Sequence, residues 1–333
     1  MIITKTPFRM SFFGGGTDIP EYFYEHKGAV ISTTFDKYCY VNVRHLPRFF
    51  DYRTHLTYSK MEYVNDNCEI QHPAIRNAMD MLDMQEIRLV YEADLPARSG
   101  LGTSSSFAVG MLNAFYALKG KYADKKKLAD EAIYLERELC NEAGGWQDQI
   151  AASFGGLNRI DFSGSGYEIR PIIISPERKR KLESNLMLFF TGFTRFSSEI
   201  QKENQVVAKS KTEYLSEMYD LVEEAEQILV NKMKDIDDFG RLLDRTWKLK
   251  KQTGSKISTS SIDQLYELGI KEGALGGKLL GAGGGGFLIF YVPEEYQTRV
   301  KEAMKELVYV PFRFEEGGTR IIHYTPEEYI LKK

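Results

Sequence analysis

The chain has 333 residues, 43% hydrophobic and 27% charged, with a net charge of −3, which supplies apolar surface for one large core or two medium ones and argues against nucleic acid as a partner. Its three cysteines, Cys39, Cys68 and Cys140, are scattered and odd in number, so free thiols in a reducing cytoplasm are expected rather than a disulfide framework or a zinc site. No apolar run approaches the length of a membrane span and the N-terminus lacks a signal-peptide pattern, so a cytoplasmic protein without membrane contact is expected.

Residues 2–13 read as a first strand, broken at Pro7. Gly14-Gly15-Gly16 then force a tight turn that ends at Thr17-Asp18. Asp18 reads either as an Asx-type turn residue or as a carboxylate that grips hydroxyl groups. Arg9, just ahead, reads by itself as a surface residue. Residues 28–44 are β-branched and aromatic, as in one or two strands. Residues 46–72 are irregular with room for short strands, and 74–84 look helical.

Residues 87–94 alternate enough to be a strand, and 107–118 are apolar nearly all round, as in a buried helix. Between them runs Leu95-Pro96-Ala97-Arg98-Ser99-Gly100-Leu101-Gly102-Thr103-Ser104-Ser105-Ser106. The first turn of a helix has backbone N–H groups without partners and the positive end of the helix dipole. Gly100 and Gly102 let the backbone approach an anion, and the hydroxyls add donors, so phosphate binding is one reading. A Ser/Gly loop that only caps the helix is the other. The segment is neither a Walker A loop nor a dinucleotide Gly-x-Gly-x-x-Gly.

Asp124 can cap a helix over 124–139, with Leu128, Ala132, Leu135 and Leu139 on one face and Glu136 late in it. Glycine pairs at 144–145 and 155–156 bracket a short apolar helix. Asp148 near its start is either an N-terminal cap or an ionised carboxylate at the positive helix end. Residues 157–162 and 167–174 read as a hairpin, 176–183 as a solvated helix and 186–191 as a buried strand. Long amphipathic helices follow over 197–231 and 235–253, so a second domain is expected to begin near 180–195. A helix over 261–272 precedes a tract holding eight of the 28 glycines between 273 and 286, too dense beside a core strand to be a linker. A strand over 287–292, a helix over 294–307 and one or two strands close the chain.

Three glycine-rich segments and a glycine-flanked Asp resemble the GHMP small-molecule kinases. The first motif of that family, Pro-x-Arg…Gly-x-x-Thr-Asp, is matched by Pro7, Arg9, Gly14 and Thr17-Asp18. The second, Pro-x-x-x-Gly-Leu-Gly/Ser-Ser-Ser-Ala, is matched by Pro96, Gly100-Leu101-Gly102 and Ser104-Ser105, with Thr103 and Ser106 as mild departures. The late Gly-x-Gly-x-Gly-Gly is matched by residues 281–286. Gly-Gly-Gly-Thr-Asp, Gly-Gly-x-Gln-Asp-Gln and the ending Gly-Gly-Lys-Leu-x-Gly-Ala-Gly-Gly-Gly-Gly-Phe are similar to the branch that acts on the anomeric hydroxyl of sugars.

The resemblance implies an α+β chain with the GHMP kinase fold: residues 1–185 as a ribosomal-protein-S5-domain-2-like N-terminal domain and 186–333 as a ferredoxin-like C-terminal domain, with ATP and sugar between them. It implies ATP-dependent phosphorylation at O1 of a heptose 7-phosphate, with Mg²⁺. The alternatives are a 1-kinase of an unphosphorylated sugar such as L-fucose or galactose, and an ATP- and sugar-binding regulator without turnover. By the same resemblance Gly100, Leu101, Gly102, Thr103, Ser104, Ser105 and Ser106 wrap the ATP phosphates, and Ser104 and Glu136 hold Mg²⁺. Asp148 orients or deprotonates the attacking hydroxyl, and Arg9 pairs with Asp148 and the γ-phosphate. Gly15, Gly16, Thr17 and Asp18 meet the sugar, and Gly283 and Gly284 shape the site from the second domain. Arg195 and Lys278 are candidates for the sugar's phosphate, a structural role being the other reading for each. A homodimer is compatible with the sequence.

Overall fold

A computed structural model describes residues 1–192, 212–252, 254 and 257–326. Strand β1 (Ile2–Phe13) runs unbroken through Pro7 against β2 (Gly28–His45). Proline lacks the N–H, but the register shifts between Pro7 and Phe8, so a bulge absorbs the missing donor and the strand continues. Residues 28–45 form one strand, long enough for two others to share its far edge. β5 (Ile87–Ala93) pairs with Cys39–His45, and β6 (Leu157–Ser163) with Gly28–Thr33. β3 (Thr54–Thr57) and β4 (Met61–Val64) extend the sheet beyond β5, and β7 (Gly166–Pro171) extends it beyond β6.

Helix α3 (Thr103–Leu118) packs on β1 and β2, with all of its residues buried except Ser104. α4 (Lys125–Tyr134) and α5 (Gln147–Phe154) pack against it and against each other, and α2 (Pro73–Met81) joins this layer; a short α1 (Pro20–Phe23) follows the first glycine turn. The helix expected over 124–139 changes character at Leu135, where a wide π turn covers Leu135–Leu139 and carries Glu136.

After α6 (Pro176–Ser184), a second, antiparallel sheet has the order β11-β8-β10-β9. It consists of β8 (Leu186–Phe190), β9 (Gly276–Leu279), β10 (Phe287–Tyr291) and β11 (Val308–Val310). β9 lies inside the glycine tract, where low strand propensity hid it from sequence reading. The helices of this half are α7 (Thr212–Val230), α8 (Asp238–Lys251), α9 (Ser260–Lys271) and α10 (Gln297–Ala303). Of the helix expected over 197–231, residues 193–211 lie outside the described residues.

The expected second domain does not run to the C-terminus. β12 (Phe314–Glu315) and β13 (Arg320–Tyr324) return to the first sheet and pair with β2 and β1, covering the edge that β1 would otherwise expose. The two halves also share one hydrophobic core. Phe8, Met10, Phe12 and Phe13 of β1 lie in a single buried cluster with Met218, Leu221 and Val222 of α7, Phe239 of α8, and Leu188 and Ile289 of the second sheet. The Phe239 ring meets those of Phe12 and Phe13 edge-on, with centroids 5.3 and 5.0 Å away.

Candidate active site

A cavity of about 210 Å³ opens where the loop before α3, the first glycine turn, the start of α5 and the second half converge. At its floor Arg9 is buried, 4% exposed. Its Nε and Nη2 donate to the two carboxylate oxygens of Asp148, both at 2.7 Å, and Nη1 donates to the Gly100 carbonyl at 2.7 Å. The Arg9 backbone N–H reaches the Leu101 carbonyl at 3.1 Å. The surface reading of Arg9 is thereby overturned: planar, bidentate pairing satisfies a guanidinium that strand periodicity alone would have sent to solvent. Asp148 sits in the first turn of α5 and keeps part of its side chain open to the cavity.

The loop before α3 takes left-handed backbone at Gly100 (φ +83°) and Gly102 (φ +70°), and the helix begins at Thr103. Gly100, Gly102, Thr103, Ser104 and Ser105 line the cavity. Leu101 is buried beneath the loop, and Ser106 turns away to donate to the Pro7 carbonyl at 2.9 Å. Ser104 and Ser105 donate to the two oxygens of Glu136 at 2.9 and 2.7 Å, and the Gln149 amide nitrogen donates to it as well. Burial, and then the charge of Glu142, push Glu136 up to about 7, while those three donors pull the other way. A buried carboxylate with only neutral donors, beside the exposed hydroxyl of Ser104, is an all-oxygen set that a hard cation would complete. Ser104 and Glu136 therefore fit Mg²⁺.

At the opposite corner Asp18 accepts from the Gly16 N–H at 2.9 Å and from the Gln147 amide nitrogen at 3.0 Å. Gly145 packs so closely on it that a Cβ there would lie 1.8 Å from Asp18 Oδ2. Burial raises the Asp18 pKa, the Gly16 and Gln147 hydrogen bonds oppose this, and Asp148 adds to it. Gly15, Gly16 and Asp18 line the cavity, whereas Thr17 is buried and locks the turn through the carbonyls of Gly14 and Ala29.

From the second half come Leu215 and Met218 on α7, Lys250 on α8, Lys278 on β9, and Gly281 and Ala282. Lys278 is buried and donates to the Phe12 carbonyl at 2.8 Å; burial, then Lys250 and Arg9, hold it well below its ordinary pKa. Burial and then Arg9 pull Lys250 down to about 8, against an opposing pull from Asp18. Gly283 and Gly284 do not reach the cavity: both pack on Ile257, whose carbonyl accepts from the Gly284 N–H at 3.0 Å. Glycines at those positions permit that backbone-to-backbone contact. Arg195 lies outside the described residues.

Sequence reading missed Ser11, Gln147, Leu215, Met218 and Lys250 as cavity residues. Ser11 shares the strand face of Arg9 by its spacing of two, which was the available signal. Lys250 follows the buried Leu243 and Thr246 by seven and four residues, on the apolar face of α8, and that helical spacing was the available signal.

Residues 69–156 match the family model of the GHMP kinases N terminal domain, and residues 221–310 match that of GHMP kinases C terminal. The chain is 31% identical to the D-glycero-alpha-D-manno-heptose 7-phosphate kinase of Campylobacter jejuni subsp. jejuni serotype O:2, over 96% of this chain and 98% of that protein. It is 28% identical to the bifunctional fucokinase/GDP-fucose pyrophosphorylase of Arabidopsis thaliana, over 64% of this chain and 21% of that longer protein. Among solved structures, a D-glycero-D-manno-heptose 1-phosphate kinase from Bacteriodes thetaiotaomicron superposes with a TM-score of 0.73 at 23% identity, covering 97% of this chain and 99% of that one. Among the described residues no helix is long and apolar enough to cross a membrane.

Proposed function

We propose, because this chain belongs to the GHMP kinase family, that its cleft transfers the γ-phosphoryl group of ATP to O1 of a heptose 7-phosphate. The observation that carries the chemistry is the Arg9–Asp148 pair, tied to the Gly100 carbonyl and facing the same cavity as Asp18. The choice of acceptor is supported by the full-length similarity to the heptose 7-phosphate kinase.

Phosphoryl transfer needs in-line positioning, charge neutralisation and a place for the nucleophile's proton. The loop at 100–105 and the start of α3 offer backbone N–H groups to the ATP phosphates. Ser104 and Glu136 would hold Mg²⁺, which when bound neutralises phosphate charge. Asp148 receives or orients the proton of the attacking hydroxyl, and Arg9 fixes that carboxylate in one orientation through two hydrogen bonds. Lys278 stands as a candidate for the acceptor's phosphate, with Lys250 beside it on the cavity wall. The nucleotide-binding unit is taken as residues 1–185 together with the returning strands β12 and β13.

The test is ADP release with Mg-ATP against D-glycero-D-manno-heptose 7-phosphate, mannose 6-phosphate, L-fucose, galactose and mevalonate. Turnover confined to the heptose phosphate is expected. Turnover only with a free sugar discards the phosphorylated acceptor, and silence with ATP still bound moves the weight to an acceptor outside this panel or to the regulator without turnover.

Lys250 gives this reaction a pH dependence. Its ammonium is charged below about 8 and draws anions; above that value each pH unit weakens this contribution by up to about tenfold. The expected result is a fall in kcat/KM above about pH 8. Lys250→Arg should flatten it, because a guanidinium stays charged throughout this range. An identical alkaline fall in Lys250→Arg would clear Lys250 of the effect.

A further inference from the structure

We infer that Ser11 and Gln147, together with Asp18, form a corner of the cavity that reads hydroxyl groups of the acceptor sugar. The inference rests on the kinase reading and adds to it two contacts that set acceptor specificity.

Ser11 and Gln147 line the cavity and are 5% and 8% exposed. Among the described residues, Ser11 Oγ and Gln147 Oε1 are buried without a hydrogen-bond partner. Buried polar atoms are nearly always paired, because leaving one desolvated and unpaired costs free energy. Two such atoms in one corner of one cavity point to a ligand that supplies the missing partners. The side chains converge: a Cβ placed on Gly15 would lie 3.7 Å from Ser11 Oγ and 3.8 Å from Gln147 Nε2.

The chemistry of that ligand follows from which atoms are already engaged. Gln147 Nε2 donates to Asp18 Oδ2 at 3.0 Å. Flipping the amide would set Oε1 against the Asp18 carboxylate, two acceptors face to face, so the free atom of Gln147 is an acceptor. Asp18 is an acceptor as well, and the Ser11 hydroxyl serves either way. Such a corner receives O–H donors. A phosphate oxygen, itself an acceptor, gains nothing from Gln147 Oε1, so an acceptor phosphate binds elsewhere in the cleft. Beside Gly16, α7 presents Leu215, whose Cδ2 would lie 3.3 Å from a Cβ at Gly16, and Met218 also lines the cavity. Hydroxyls toward Ser11 and Gln147 with C–H groups toward α7 is the amphipathic arrangement of a sugar ring.

The test measures kcat and KM of the full-length enzyme for the acceptor and for ATP, in wild type, Ser11→Ala and Gln147→Met, with the acceptor and its monodeoxy analogues. Ser11→Ala and Gln147→Met should each lower kcat/KM for the acceptor by about tenfold or more, with KM for ATP unchanged. One monodeoxy analogue should be used equally well by wild type and Ser11→Ala, since the hydroxyl that Ser11 reads is already gone. A merely structural role for Ser11 would penalise every analogue by the same factor, and that pattern overturns the assignment. Wild-type kcat/KM in both variants overturns it too. If wild type turns over galactose or L-fucose alone, the heptose phosphate reading falls. The same analogue pattern measured on that sugar then supports the corner, and its absence overturns it. No turnover of any sugar overturns both.

Discussion

Asp148→Asn should lower kcat by about 1,000-fold or more while ATP binds within a few-fold of wild type. The substitution preserves size and helix position but removes the group that takes or orients the hydroxyl proton. It also changes the floor of the cavity. Arg9 donates to both oxygens of Asp148, and an Asn amide offers one acceptor and a donor that faces another donor. Arg9 is buried, so weakening its partner should also cost about 1–3 kcal/mol of stability. ADP release, ATP titration by calorimetry and thermal melting separate the three effects. A variant with near-normal kcat would remove Asp148 from the chemistry, whatever its stability.

Gly100→Ala should be the most damaging small substitution in the loop. Gly100 has φ +83°, and a Cβ there would lie 2.3 Å from the Leu280 carbonyl oxygen and 3.3 Å from Gly281 Cα. The left-handed backbone costs alanine roughly 1 kcal/mol, and relieving the overlap by moving backbone adds about 1–3 kcal/mol. The move displaces the carbonyl that holds Arg9 Nη1, so KM for ATP should rise by about tenfold along with the loss of stability. Gly120→Ala is the control: it has φ +65° with nothing within 4 Å of the added carbon. It should show the backbone cost alone, with unchanged kinetics. If Gly100→Ala matched Gly120→Ala in both melting and KM for ATP, the contact between the loop and residues 280–281 would carry no coupling between the two halves.

Much of the local structure was legible in the residues. The apolar run of 107–118 marks a helix buried on all sides, and α3 is that helix. The glycine turn before Asp18 and the Gly/Ser loop before α3 were legible because positive φ combined with close backbone approach favours glycine. Asp148 at the start of a short helix followed from its flanking glycines. Pro7 misled, because a missing N–H ends a strand only where no bulge can absorb it. Gly276 and Gly277 misled in the opposite sense, since they sit in a strand although glycine disfavours one.

The motif order pointed to the family before any contact was known, because spacing along the chain carries it, and the family-model matches show it. Three features were decided by tertiary structure. Arg9 is buried because Asp148, 139 residues away, supplies both of its oxygens. Gly283 and Gly284 stay off the cavity because Ile257 occupies their exposed backbone. Phe314–Glu315 and Arg320–Tyr324 leave the second half because β1 and β2 offer unpaired edges to them. Local propensity is a matter of near neighbours, which a sequence contains in full. Pairing a charge, filling a strand edge or leaving Ser11 Oγ and Gln147 Oε1 for a ligand depends on which distant groups the shared core brings together. Hydrophobic burial is non-directional, so only the completed fold selects those groups.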